Sequence, residues 1–169
     1  HTGYRRQRQM CIRDSSASID HIPGLDNVSF HSSNDLKNKI LENINNTDAI
    51  FMTAAVSDFT VKKSSGKISR SNGNITLEFI PNEDIIATIK SSYPEIKCIA
   101  FSAQVDDELN FNKINTKNVD YLVINNILKN NFGSDANKVS IIDHQHLIFE
   151  SEELDKNEIS RDILNALEY

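Results

Sequence analysis

The sequence predicts an α/β fold in which helices cover both faces of a mostly parallel sheet. Three observations predict it. Strand-like and helix-like segments alternate from about Asn27 to Ile124. The run Ala49–Val56 (AIFMTAAV) is almost continuously apolar, as a parallel strand covered on both faces must be. Asn72-Gly73 between two strand-like runs is the strongest short hairpin signal. Alternation implies right-handed βαβ crossovers. At 169 residues, with 38% hydrophobic and 25% charged side chains, the chain is one domain's length and can bury a core.

The elements follow in order. Asn27–Phe30 reads as a short strand after the Pro23-Gly24 turn. Ser32 and Asp35 stand at capping-box spacing and open a helix with Leu36, Ile40, Leu41 and Ile44 as its buried stripe, ended by Asn45-Asn46-Thr47. Ala49–Val56 is the central strand. Lys67–Arg70 and Ile75–Phe79 form the hairpin around Ser71–Asn74. Asn82 caps a helix with Ile85, Ile86 and Ile89 inward. Cys98–Phe101 is a buried strand, Asp106–Lys117 a helix through Leu109 and Ile114, and Tyr121–Ile124 the next strand. An Asn-rich loop, Asn125–Asn137, leads to a second hairpin, Val139–Ile142 with Leu147–Phe149. Asp155 and Glu158 start the last helix, with Ile159, Ile163, Leu164 and Leu167 inward. The whole reads as a Rossmann-like three-layer sandwich with two decorating β-hairpins.

Composition excludes several classes. A formal net charge of -6 argues against coating nucleic acid. No apolar run approaches the ~18 residues of a membrane span. Cys11 and Cys98 alone build neither a disulfide framework nor a cysteine metal site, and fit a reducing, cytoplasmic setting. His144 and His146 bracket a hairpin turn without a third ligand at zinc spacing. There is no Walker loop, no GxGxxG and no Ser-His-Asp signature, and the chain has only five glycines.

The first fifteen residues stand apart. Four of the six arginines lie there, with no strand or helix period and no apolar stretch of the kind a secretory signal needs. Met10-Cys11-Ile12-Arg13-Asp14-Ser15 is similar to an in-frame translation of a transposon-derived sequencing adapter. A natural disordered tail is the other reading. The expected division is therefore 1–15 as a non-native or disordered tail and 16–169 as the domain.

Ligands of open α/β sheets bind beyond the carboxyl ends of the strands. That singles out Ser57-Asp58, Phe101–Gln104 and Asn125-Asn126, each polar and each next to a buried strand. Asp58 can accept hydrogen bonds from a base or ribose, or simply cap its turn. Lys62, Lys63 and Lys67 lie by a Ser/Gly-rich loop where ammonium groups suit phosphates, or form a solvated basic loop. Lys113 and Lys117, four apart, share a helix face opposite Leu109 and Ile114; they are solvent-exposed or grip phosphates. Glu83 and Asp84 at a helix start disfavour a bare phosphate and suit base or ribose recognition, or capping.

Taken together, Ala54-Ala55-Val56-Ser57-Asp58-Phe59, Lys67-Ile68, Leu77–Ile86 (LEFIPNEDII), Ala100-Phe101-Ser102-Ala103-Gln104, Lys113, Lys117, Asn125-Asn126 and Phe132–Asn137 (FGSDAN) resemble, in order and spacing, the phosphopantothenoylcysteine synthetase domain. That domain is commonly the C-terminal half of the bacterial bifunctional coenzyme A biosynthesis protein, a phosphopantothenoylcysteine decarboxylase/phosphopantothenate–cysteine ligase. The resemblance covers about Ser16 to Tyr169. It implies a CTP-dependent ligase that condenses 4'-phosphopantothenate with cysteine through an acyl-cytidylate, with Mg2+ to manage the triphosphate. By motif position it implies that Asp58, Lys67, Glu83, Asp84, Ile85, Ile86, Phe101, Lys113 and Lys117 bind CTP, with Lys67 also catalytic and no metal held by the protein itself. It implies a homodimer, a decarboxylase domain in the full-length parent and no flavin in this chain.

The chain departs from the family pattern. Asn82-Glu83-Asp84 replaces Asn-Pro-Asp, Lys67–Arg70 (KISR) is less basic than Lys-Ile-Lys-Lys, Gln104 stands where an acid is common, and Asn125-Asn126 where Asn-Asp is usual. The first strand and its substrate loop are missing, so the resemblance implies an N-terminally truncated and impaired ligase. Another nucleotide-binding α/β enzyme, such as a short-chain dehydrogenase, and a non-catalytic α/β interaction domain are the competing readings.

Overall fold

The computed structural model describes residues 13–16, 24–62, 74–105, 109–126 and 136–169, with side chains for all but 13–16 and Asn126. It divides into two compact units, His1–Thr47 and Asp48–Tyr169.

In the first unit, β1 (Arg13–Ser16) pairs parallel with β2 (Asp26–Ser29). A strand thus begins inside the stretch whose sequence shows no strand period. Gly24 between them adopts φ +85°, a conformation that suits glycine. Helix α1 (Ser33–Asn43) starts as its sequence dictates: the Ser32 hydroxyl accepts from the Asp35 N–H at 3.1 Å, and Asp35 accepts in return from the His31 N–H at 2.9 Å. Leu36 and Ile44 are buried, and a 3-10 turn over Ile44–Asn46 ends the element.

The second unit is built on a five-stranded sheet ordered β10-β9-β7-β6-β3. Strand β3 is Ala49–Met52, β6 Lys97–Gln104, β7 Tyr121–Asn126, β9 Val139–Ile142 and β10 Leu147–Glu150. β3, β6 and β7 run parallel; β9 and β10 return antiparallel. The α/β class holds, and the second hairpin extends the sheet rather than decorating it. Helices α2 (Ile85–Ser92), α3 (Phe111–Lys117) and α4 (Lys156–Ala166) complete the sandwich. Strand β6 alternates its side chains between the layers. Ile99 and Phe101 join Val123, Ile141, the α4 residues Ile159 and Ile163, and Leu167 just past the helix in one core cluster. Ser102 faces the other side and meets α3 through Lys113. The edge-on contact of Phe51 with Tyr169, 5.7 Å between ring centres, closes the first side. A short pair, β8 (Ala136–Asn137) with β11 (Leu154–Asp155), leads into α4, where Asp155 accepts from the Asn157 and Glu158 N–H groups at 2.8 and 2.9 Å.

Four expectations need correction. The strand predicted over Ala49–Val56 stops at Met52 and is the edge of the described sheet, half-buried throughout. Short turns, Thr53 N–H to Phe51 O and Val56 N–H to Ala54 O, both 3.1 Å, pull the chain out of the ladder. The predicted partner of Ile75–Phe79, Lys67–Arg70, lies outside the described residues; β5 (Phe79–Pro81) pairs instead with β4 (Phe59–Val61). That register is set by Lys62 N–H to Glu78 O at 2.9 Å and Asn82 N–H to Asp58 O at 2.8 Å. The cap of α2 is Asp84 rather than Asn82. The described part of the helix predicted from Asp106 begins at Phe111, and Asn118 ends it in the left-handed conformation, φ 49°.

At the amino end of the sheet, Asp120 ties three segments together. Its carboxylate accepts from the Cys98 N–H at 2.8 Å and pairs with Lys90 at 2.8 Å and Lys97 at 3.4 Å. Lys90 also donates to the Pro94 and Ile96 carbonyls. Burial alone would raise the Asp120 carboxyl, but the Cys98 N–H and Lys90 outweigh it and hold the group below the ordinary carboxylate range. Burial likewise pushes the Cys98 thiol up to about 11, so it packs as a small apolar group. A carboxylate held low in the folded state adds stability above its unfolded pKa, about 3.9, and loses it as pH falls through the folded value. Asp120→Ala is expected to cost about 3 kcal/mol in urea unfolding at pH 7. The gap to wild type should narrow as pH drops below about 4; a gap unchanged at pH 3 would contradict the assignment.

Candidate functional site

A cleft of about 180 Å³ opens at the carboxyl end of β3 and β6. Its lining comes from three segments: Met52 and 54–58, Asn82–Ile86, and Ala100, Phe101 and Lys117. The chain places them there for local reasons. Residues 53–58 leave the sheet, and Asn82 straps them down by donating from Nδ2 to the Ser57 carbonyl at 3.0 Å, beside its backbone bond to Asp58. Ser57 Oγ closes its own turn by donating to the Phe59 carbonyl at 2.8 Å. Helix α2 then begins at the cleft, its first N–H groups satisfied by Asp84, whose Oδ1 accepts from Ala87 at 3.2 Å. Asp84 Oδ2 accepts from Lys117 Nζ at 3.1 Å, linking α2 to α3.

The predicted residues sort cleanly. Asp58, Glu83, Asp84, Ile85, Ile86, Phe101 and Lys117 all line this one cleft. Lys113, one helical turn before Lys117, is not among the lining residues and donates to Ser102 Oγ at 2.7 Å. Lys63 and Lys67 lie outside the described residues. Lys113 and Lys117 are half-buried and reach β6 and α2, so they do not project from the face opposite Ile114 as the helical spacing suggests. Lys62 pairs with Glu78 at 2.8 Å, away from the cleft lining. The His144–His146 turn is confirmed, with Asp143 accepting from the Gln145 N–H at 2.7 Å; no group of three metal-ligating side chains occurs among the described residues.

Two residues of the strand end Phe101–Gln104, which the sequence singles out without giving either a role, stand out. Ser102, buried at 6% exposure, holds Lys113. Gln104, two residues on, has a buried amide nitrogen without a partner among the described residues. The alternation of β6 was the available signal, since it puts Ser102 and Gln104 on one face. The chemistry of the cleft is that of a mixed site. Ile85, Ile86 and Phe101 offer apolar contact, Asp58, Glu83 and Asp84 accept from hydroxyl or amine donors, and ammonium groups stand at the α3 side.

These features define an α/β domain with a cleft at the carboxyl ends of two parallel strands. The chain belongs to the family of the DNA/pantothenate metabolism flavoprotein C-terminal domain, whose sequence model matches residues 8–169. It is 30% identical over 162 residues to a cysteine/cysteine sulfinic acid decarboxylase from an unknown prokaryotic organism, covering 92% of this chain and 44% of that protein. It is 31% identical over 130 residues to the coenzyme A biosynthesis bifunctional protein CoaBC of Bacillus subtilis (strain 168), covering 73% and 32%. The chain thus spans less than half the length of these curated relatives. The crystal structure of the C-terminal domain of a CoaBC superposes with a TM-score of 0.69 at 23% identity, covering 92% of this chain and 73% of that one, a likeness of fold.

These findings correct the synthetase resemblance. The matching family is named for a flavoprotein, a relative across most of the chain is named a decarboxylase, and none of these names is that of a ligase. The CTP-dependent ligase activity falls, together with its acyl-cytidylate and its Mg2+ and CTP. The expectation of no flavin in this chain falls with them, because the family is named for a flavoprotein. The physical reason is that the resembling segments are strand ends, turns and helix starts, which position a site on this fold without fixing a reaction.

Among the described residues the cleft offers a single aromatic face, Phe101, and no second one to enclose the isoalloxazine ring of the flavin that the family's name implies, so the residues present do not fit that group and no step is derived through it.

Asp84 has two jobs that mutation can separate. Asp84→Ala should cost about 1 kcal/mol in thermal or urea unfolding through the lost cap. Asp84→Asn should keep most of that stability, because an asparagine still caps, while releasing Lys117.

Proposed function

We propose that this chain is a small-molecule-binding module of a coenzyme A biosynthesis flavoprotein, with residues 16–169 as its natural domain and a decarboxylase of a cysteine-derived carboxylate as the activity of the whole parent. The names of the relatives support the setting, and the cleft supports the role. We propose as its ligand an open-chain, phosphorylated compound of the 4'-phosphopantothenate type. Its hydroxyl and amide donors would meet Asp58, Glu83 and Asp84, its apolar stretch Ile85, Ile86 and Phe101, and its phosphate Lys117 and Lys113, with Lys67 as a further cation. The observation that carries this reading is the meeting of the three carboxylates with Phe101 and Lys117 in one cleft at the sheet's carboxyl end. No helix among the described residues is long and apolar enough to cross a membrane; a cytoplasmic setting is part of the proposal.

Calorimetric titration of the chain with 4'-phosphopantothenate, against unphosphorylated pantothenate and flavin mononucleotide, tests it. The phosphorylated ligand should bind more tightly than pantothenate, and Asp58→Asn and Phe101→Ala should each weaken it about tenfold, ~1.4 kcal/mol. Flavin as the tightest ligand, or no heat with any of the three, would refute the ligand assignment.

A homodimer belongs to the same proposal. The β4–β5 ribbon leaves Phe59 56% and Phe79 63% exposed, with Val61 and Ile80 beside them. Apolar side chains grouped in this way favour a partner surface. Phe79→Asp should shift the chain toward monomer in sedimentation velocity, while an unaltered mass would count against the ribbon as the contact.

A further inference from the structure

We propose that Ser102 is a positioning residue that aims the Lys113 ammonium at the anionic part of the ligand. This rests on the reading that the cleft takes a phosphorylated compound. Ser102 lies near the carboxyl end of β6 and is 6% exposed, so its side chain is fixed by packing. Its Oγ accepts from Lys113 Nζ at 2.7 Å. Lys117, one helical turn along α3, meets a carboxylate, Asp84, at 3.1 Å. The contrast decides the roles. An ammonium paired with a carboxylate has part of its charge already answered, whereas Lys113, whose side-chain partner among the described residues is a neutral hydroxyl, keeps its charge for an incoming anion.

The placement suits this use. Ala100 lines the cleft two residues before Ser102 on the same face of β6, about 7 Å along the strand. A hydroxyl that accepts from an ammonium still has its own proton to donate. Lysine is otherwise a flexible point charge, and ordering it before the ligand arrives removes that entropic cost from binding.

The test uses inorganic phosphate as the probe and follows the lysine side-chain amine and ε-carbon resonances of the labelled chain. Lys113 is assigned by loss of its signal in Lys113→Gln. In the wild type the Lys113 signal should move saturably with phosphate. Ser102→Ala and Ser102→Cys, which both remove the oxygen acceptor, should each raise the midpoint about fivefold, and Ser102→Thr should return it to within about twofold. If either variant fails to fold, the other decides. An unchanged midpoint in the folded variant, or a Ser102→Thr chain as weak as Ser102→Ala, overturns the positioning role. A response at Lys117 with none at Lys113 also overturns it while leaving the phosphorylated-ligand reading intact. Silence at every lysine overturns both.

Discussion

Burial of strand β6 from both sides is the constraint on which the second unit rests. Cys98, Ile99 and Ala100 are all inaccessible or nearly so, which is possible only because β3 and β7 flank the strand and helices cover its two faces. Its backbone polar groups are met by parallel neighbours, and its side chains are dealt alternately to α4 and to the α2–α3 layer. The strand outlasts its neighbour β3 at the carboxyl end. Ala100 and Phe101 mark the place where the apolar wall stops and a polar cleft begins.

The two ends of the sheet then serve different purposes. The amino end is closed by Asp120, whose charge is consumed by the Cys98 N–H, Lys90 and Lys97. At the carboxyl end, charges are arranged around space instead. Asp58, Glu83 and Asp84 line the cleft, and Asp84 pairs there with Lys117. Such a rim is costly in a sealed interior and tolerable where water or a ligand supplies donors. The amino end is thus sealed by an ion-paired carboxylate, whereas the carboxyl end gathers its charged side chains around an open cleft.

The family assignment shows how far fold and function separate. Short segments such as Ala54–Phe59 and Asn82–Ile86 mark turns and helix starts that an α/β site uses whatever its reaction. They located the cleft and misassigned the chemistry, because a reaction depends on the ligand and on more groups than the segments that shape a cleft. A chain that spans less than half of its relatives carries only part of that information.

The sequence by itself determined much of the local order. Ser32 and Asp35 capped α1, Asp155 capped α4, the apolar run Cys98–Phe101 announced a buried strand, and seven of the nine nominated residues lie around one cleft. The caps and the buried strand are encoded within a few neighbouring residues, by hydrogen-bonding side chains and hydrophobic period, whereas the nominated residues came from the order and spacing of motifs along the chain. Only the tertiary structure decided that Ala49–Val56 leaves the sheet at Met52, that Phe79–Pro81 pairs with Phe59–Val61, and that Lys113 is held by Ser102 while Lys117 is held by Asp84. Each of those outcomes is a choice between partners far apart in the chain. Such choices are settled by which distant surfaces can be buried together, and no local pattern records that.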